Sequence, residues 1–189
     1  IKAHPGAAGK MVSVDGYPLP GKKIDLNNGI GRQMSSGLVG ASWAWPEASY
    51  QQREEIWEAH KQYTLELIWF LKTDPVVPEN VRKNFASYAL TRDEFQEYGG
   101  WPPALYVREG RRMIGEHVLT QHDVRTNPNK KDSVGISSFP IDSHDCQRVP
   151  TDDGRGWINE GTIFPQRING NRHGHPYQVP YRSLTPRRS

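Results

Sequence analysis

Asp142-Ser143-His144-Asp145-Cys146 is the run of this chain richest in acid–base and nucleophilic side chains. An imidazole beside carboxylates can be a poised general base. In extended backbone, alternation puts Asp142 and His144 on one face, so both can line one pocket. Such adjacency does not make a serine-histidine-aspartate triad, whose members meet through the fold. Cys146 offers a nucleophile, but its residue type favours a small buried hydrophobe.

Arg108, Glu109, Arg111 and Arg112 follow an apolar stretch. A guanidinium is a planar five-donor fork that grips carboxylate or phosphate bidentately. On an alternating strand Arg108 and Arg112 share a face while Arg111 points away. The competing expectation is a structural ion pair with Glu109 or another acid. Lys22-Lys23-Ile24-Asp25-Leu26-Asn27-Asn28 packs two cations, a carboxylate and two amides together. On a loop these groups could bind ligand hydroxyls or carboxylates, or close Asx turns on their own backbone. Gly29-Ile30-Gly31-Arg32-Gln33-Met34 starts like a dinucleotide fingerprint but has no third glycine, and no strand–helix pair flanks it. His173 with His175 and His117 with His122 are pairs without a further ligand at a recurring spacing, so no metal site is expected. The six Trp could stack on sugar rings or bases, although large aromatics more often fill cores.

The elements that must position these groups fall in three stretches. Residues 1–36 are rich in Gly, Pro and Asn without a sustained period and read as irregular, with turn chemistry at Tyr17-Pro18-Leu19-Pro20-Gly21. Residues 47–90 read as helical. Ile56, His60, Tyr63, Leu67 and Leu71 recur every three or four residues with Trp57, Thr64 and Ile68 beside them, and the helix must stop before Asp74-Pro75. A second helix is expected from Pro78 to about Leu90 with Val81, Phe85 and Tyr88 or Ala89 as its apolar stripe. Thr91 and Glu94 match a capping box. Residues 104–189 read as strand-rich: Leu105-Tyr106-Val107, Met113-Ile114 (or a helix over Val107–Leu119), Val134–Ile141, Trp157–Ile163 and Tyr177–Leu184, with a polar loop at 125–133. Helices in the first half followed by short strands of a mixed or antiparallel sheet make the fold class α+β.

At 189 residues the length fits one domain, 1–189. Mean hydropathy is −0.77, and no apolar run approaches the roughly 20 residues that span a bilayer. A single Cys excludes an intramolecular disulfide framework and a cysteine-only metal site. Net charge is +3, yet residues 164–189 carry five Arg and no acid, leaving the remainder at −2. Such a tail can be a nucleic-acid arm, but no recognised nucleic-acid motif accompanies it. The chain opens on Ile1 and stops at Ser189 without a closing element, which reads as a fragment of a longer protein.

From Lys23 to Arg188 the chain resembles the middle-to-late part of the bacterial FAD-dependent oxidoreductases, some of them labelled xanthan-lyase-associated. The stretches that carry the resemblance are Lys23 to Asn28, Pro46 to Tyr50, Asp74 to Pro78, Asp93 to Phe95, Gly100 to Gly115, Asp142 to His144, Asn159 to Gly161 and Pro180 to Arg188. Gly110 stands where the family pattern has Ala. The resemblance implies the substrate domain of a two-domain flavoprotein, contributing the substrate-binding or cap region over the flavin. It implies FAD as cofactor of the parent protein, a Rossmann-type FAD domain of the same chain as partner, and a small-molecule substrate. On residue chemistry, His144 oriented by Asp142 is the candidate base. Arg108, Arg112 and Arg182 are candidate anchors for substrate anions or hydroxyls, with Asn27 and Asn28 as further candidates. The alternative is a non-catalytic carbohydrate- or polymer-binding module built on Trp and Arg.

Overall fold

Ser49 starts the longest helix of the chain, and it does so with both halves of a capping box. In the computed structural model, which describes residues 14–28, 35–107, 110–138, 145–154, 156–160 and 176–187, its hydroxyl accepts the Gln52 amide (3.3 Å). The Gln52 side chain accepts the Ser49 amide in return (2.8 Å). Helix α1, Tyr50–Thr73, then runs 24 residues and ends at Asp74, as the following proline requires. Leu67 and Leu71, from the expected stripe, are buried and meet Val77 and Phe85. Tyr63, Ile68, Phe70, Val81 and Tyr88 pack around these four, and the Phe85 and Tyr88 rings meet edge to face at 5.1 Å.

Helix α2, Glu79–Ala86, is shorter than expected: Pro78 is its N-cap, and it stops before Ser87. Tertiary bonding sets that stop. Tyr88 turns back to the Phe85 carbonyl (3.0 Å), and the Lys72 ammonium takes the Tyr88 carbonyl. The Arg82 guanidinium donates to the Pro75 carbonyl (3.2 Å) and to that of Val77, satisfying backbone between the helices.

Residues 14–28, expected to be irregular, form an antiparallel hairpin of β1, Val14–Leu19, and β2, Lys23–Asn28, paired from Val14↔Asn28 to Leu19↔Lys23. The turn falls at Pro20-Gly21-Lys22, where Gly21 (φ 75°) and Lys22 (φ 62°) take left-handed conformations. Pro18 and the amide-rich second strand concealed the hairpin, because its regularity lies in cross-strand pairing and not in alternation. Asn27 and Asn28 therefore sit on a strand. At the turn end of the hairpin Lys23 pairs with Asp93 (3.1 Å) and with Glu94. That engagement undoes the expected capping box: Thr91 reaches Glu94 only at 3.5 Å, and a 3-10 turn, Gln96–Tyr98, forms behind Phe95 (φ 51°) instead.

The chain divides into two compact units: residues 1–110 with 146–159, and residues 111–145 with 160–189. The first holds the hairpin, α1, α2 and an unforeseen strand β4, Gln147–Pro150, which pairs with β5, Trp157–Glu160. In the second, β3, Ser133–Ser137, pairs antiparallel with β6, Tyr177–Pro180, across an irregularity between Ser133 and Gly135. The sheets are antiparallel pairs of short strands beside helices, so the α+β expectation holds.

Leu105–Val107 forms no ladder, and Met113-Ile114 only borders one. Residues 114–117 run along 182–187 through Arg187 to Ile114 (2.9 Å), Glu116 to Thr185 (3.0 Å) and a single bridge, Gly115↔Pro186. A Cβ at Gly115 would stand 3.0 Å from the His117 carbonyl and 3.3 Å from those of Arg182 and Ser183, so any larger residue would push these carbonyls back by a few tenths of an ångström. Among the described residues of 107–119 there is no helix.

Polar contacts carry much of the second unit. A short helix missed in the sequence, α3, Gln121–Arg125, is capped by Thr120, whose hydroxyl and amide each donate to Asp123 Oδ2 at 2.9 Å. Asp123 is buried, with Lys130 Nζ at 3.2 Å and His117 Nε2 at 3.2 Å. Burial opposes the Asp123 charge. The Thr120 and Lys130 donors and the His117 imidazole outweigh it and hold the carboxyl well below the usual carboxylate range. Asp132 receives a two-pronged pair from Arg182 (Nε to Oδ2 3.0 Å, Nη2 to Oδ1 3.4 Å), which draws its pKa down to about 2.

Leu71→Ala is expected to destabilise the first unit by about 2–5 kcal/mol in chemical denaturation, since it opens a cavity in a four-residue core. Both aspartates are more acidic folded than the ordinary unfolded value near 3.9. Their stabilisation is therefore complete above that value and lost as pH falls toward 2. Thermal melts of Asp123→Asn should show lower stability at pH 7 and a flatter decline between pH 4 and pH 2. An unchanged acid limb would refute the assignment.

Candidate functional site

On α1 the residues Trp57, His60, Lys61 and Thr64 stand at i, i+3, i+4 and i+7, which places them along one face. They form one wall of a cleft of about 270 Å³ in the first unit. A second wall comes from Trp101, Pro102, Ala104, Leu105 and Tyr106, and Leu26 of β2 with Ser36 and Gly37 completes the lining. The second wall is placed by backbone. Gly99 (φ 67°) and Gly100 (φ 82°) reverse the chain behind the 3-10 turn, with the Gly100 amide donating to Phe95 (2.8 Å). Next to the lining residues Ser36 and Gly37, the Tyr63 hydroxyl donates to the Ser35 carbonyl (2.7 Å), and the Gly37 amide donates to the Ser35 hydroxyl (3.1 Å). Burial, partly offset by the Arg148 guanidinium, pushes the Tyr63 phenol up, so it stays a donor.

The imidazole of His60 has a defined orientation. Its Nδ1 lies 2.7 Å from the Ile56 carbonyl, which can only accept, so Nδ1 carries the proton and Nε2 holds the lone pair of the neutral ring. The Thr64 hydroxyl donates to the His60 carbonyl (2.9 Å), leaving its oxygen as an acceptor. Lys61 Nζ lies 5.1 Å from the Trp57 ring centroid and 3.5 Å from Glu58, so its charge is already partnered. The cleft thus joins aromatic side chains to the acceptors of His60 and Thr64 and to the Lys61 cation.

The residues singled out in the sequence are not brought together here. His144, Asp142 and Arg108 lie outside the described residues, as do Gly29-Ile30-Gly31-Arg32-Gln33-Met34 and the His173–His175 pair. Arg112 is exposed and stands on no strand. Asn27 and Asn28 occupy the end of β2. Arg182 spends its Nε and Nη2 on Asp132, the structural ion pair that was the competing expectation for the other arginines. Cys146 is exposed, which corrects the buried placement expected from its type, because it opens onto β4 at the surface. Asp145 beside it is buried. Reading His60 as part of the apolar stripe did not place it on the cleft. The available signal was the spacing of four and then three residues between Trp57, Lys61 and Thr64 alongside it.

Among the described residues no three His, Cys, Asp or Glu side chains stand together as a metal-binding group. No helix there is long and apolar enough to cross a membrane.

A family model described as FAD dependent oxidoreductase matches residues 5–189. No curated protein and no solved structure matches the chain. The pyrophosphate of FAD calls for a glycine-rich turn between a parallel strand and a helix N-terminus. The described residues do not form one: β2 belongs to an antiparallel hairpin, the first turn of α1 is closed by its own capping box, and α2 opens with Pro78 and Glu79. Membership rests on the match over nearly the whole sequence, and by that match the chain belongs to the FAD dependent oxidoreductase family.

Proposed function

We propose that this chain is the substrate-side region of a bacterial FAD-dependent oxidoreductase of the xanthan-lyase-associated type, and that a Rossmann-type domain of the same parent protein holds the FAD. The observation that carries this reading is the pairing of a family match over residues 5–189 with described residues that offer a ligand-sized cleft but no pyrophosphate cradle. In this reading residues 1–189 act as one substrate domain covering the flavin, and the substrate is a small molecule.

The chain's own residues bind and orient that substrate. His144, oriented by Asp142, takes a proton from it. Arg108 and Arg112 anchor its hydroxyl or anionic groups, and Arg182 adds the Nη1 edge that Asp132 does not use. Asn27 and Asn28 offer amide contacts from the end of β2. A non-catalytic carbohydrate- or polymer-binding module is the second reading, favoured by the two indoles of the cleft.

Flavin absorbance of the purified full-length protein, with this 189-residue chain purified alongside, tests the reading. Flavin in the full-length protein and none in the chain is the expected result. A folded full-length protein without flavin overturns it and favours the binding module. In a flavin-loaded protein, His144→Ala is expected to lower turnover by about 10²–10⁴-fold without changing flavin content. Unchanged turnover would remove His144 from the role of base.

A further inference from the structure

We propose that the Trp57–Trp101 cleft of the first unit is the substrate seat, and that its ligand is a neutral hydroxylated six-membered ring, a pyranose or cyclitol unit. This inference rests on the substrate-side reading given above, and it names the class of substrate.

Three observations select that chemistry. The first is size. A volume of about 270 Å³ falls just below the roughly 300–1,000 Å³ of clefts that hold drug-sized ligands, and suits one saturated ring. The second is the surface offered. Trp57 and Trp101 are both half-buried, so each indole is anchored and still presents area to a ligand. The face of an indole is electron-rich, and it matches the slightly positive C–H groups on one face of a pyranose.

The third observation is the polarity of the lining. The His60 Nδ1 proton is committed to the Ile56 carbonyl and the Thr64 hydroxyl proton to the His60 carbonyl. From these two side chains the Nε2 lone pair and the Thr64 oxygen remain as acceptors, beside Lys61, Ser36 and Tyr106, which also line the cleft. Acceptors call for O–H donors, which a ring bearing hydroxyls supplies and a planar aromatic hydrocarbon does not. Charge points the same way. Lys61 is held over Trp57 and against Glu58, so an anionic ligand would have to draw it from two existing partners.

The four α1 residues are linked by the helix repeat, so the aromatic and accepting groups move as one body. A ring packed against the Trp101 indole and the part of Trp57 that Lys61 does not cover is thereby held near the His60 imidazole, about one helical turn from Trp57. The imidazole is placed to accept a hydroxyl hydrogen bond from the stacked ring.

Saturation-transfer NMR and calorimetry on the full-length protein test this, with methyl β-D-glucopyranoside and myo-inositol as probes. D-glucuronate serves as the anionic probe and benzoate as the aromatic one. Saturable binding of at least one neutral probe is expected, with transfer concentrated on the ring C–H protons. Trp57→Ala and Trp101→Ala should each weaken it by roughly tenfold. Trp57→Phe, which keeps an aromatic face and guards against misfolding, should retain most of it. His60→Phe should weaken the neutral probes and leave benzoate unaffected or improved.

No saturable binding of either neutral probe overturns the proposal. So does binding of glucuronate or benzoate tenfold tighter than both, or affinity that survives both Trp→Ala substitutions. Flavin content is read on the same sample. Flavin present without ring binding removes this substrate class and leaves the oxidoreductase reading standing, whereas ring binding without flavin removes the oxidoreductase reading and leaves the cleft.

Discussion

One helix has to serve two surfaces, and this constraint governs the first unit. The repeat of 3.6 residues per turn sends Leu67 and Leu71 of α1 into the core while Trp57, His60, Lys61 and Thr64 line a cleft on an adjoining face. The two sets are offset along the axis as well as around it. The C-terminal half is fixed by apolar packing against Val77 and Phe85. The N-terminal half, where the cleft lies, depends more on the Ser49–Gln52 capping box and on the hydrogen bond from Tyr63 to Ser35. Rotation of the helix would therefore spoil the core and the cleft together.

The second unit is held by different means. Its described residues contribute nothing to the buried apolar cluster. Contacts distant in sequence are made instead by charge and backbone: Lys130 and His117 on Asp123, Arg182 on Asp132, the Lys130 amide on the Gln178 side chain (2.6 Å), and the Tyr181 amide on the Asp132 carbonyl (2.7 Å). Buried ions are worth less as net stability than they are costly to leave unpartnered, so such a unit is defined by completeness of pairing more than by area buried.

What could be read directly from the residues follows from where the information is stored. The course of α1 and its stop before Pro75 were legible because apolar spacing and a proline are both local. The α+β class was legible for the same reason. The hairpin at 14–28 was not, since its regularity is a register between two strands that each look irregular. Nor was the short α2, whose end is set by Lys72 reaching Tyr88 from another helix. The cleft was half legible. Trp57 and Thr64 were seen beside the stripe, but their facing wall lies more than thirty residues away at Trp101 and Leu105. Asp123 was invisible as the hub of a cluster because Thr120, His117 and Lys130 meet it through the fold.

Among the described residues every ladder has only two strands, so each leaves outer edges that could pair with another chain. Each ladder also contains a proline within a strand: Pro18 in β1, Pro150 in β4 and Pro180 in β6. A proline has no amide proton to offer a third strand, and its ring obstructs the approach of one. These prolines thus act as guards against self-association on one strand of each ladder. On those three strands an added neighbour meets a proline, whereas β2, β3 and β5 carry none, so the two borders of each ribbon are unequal.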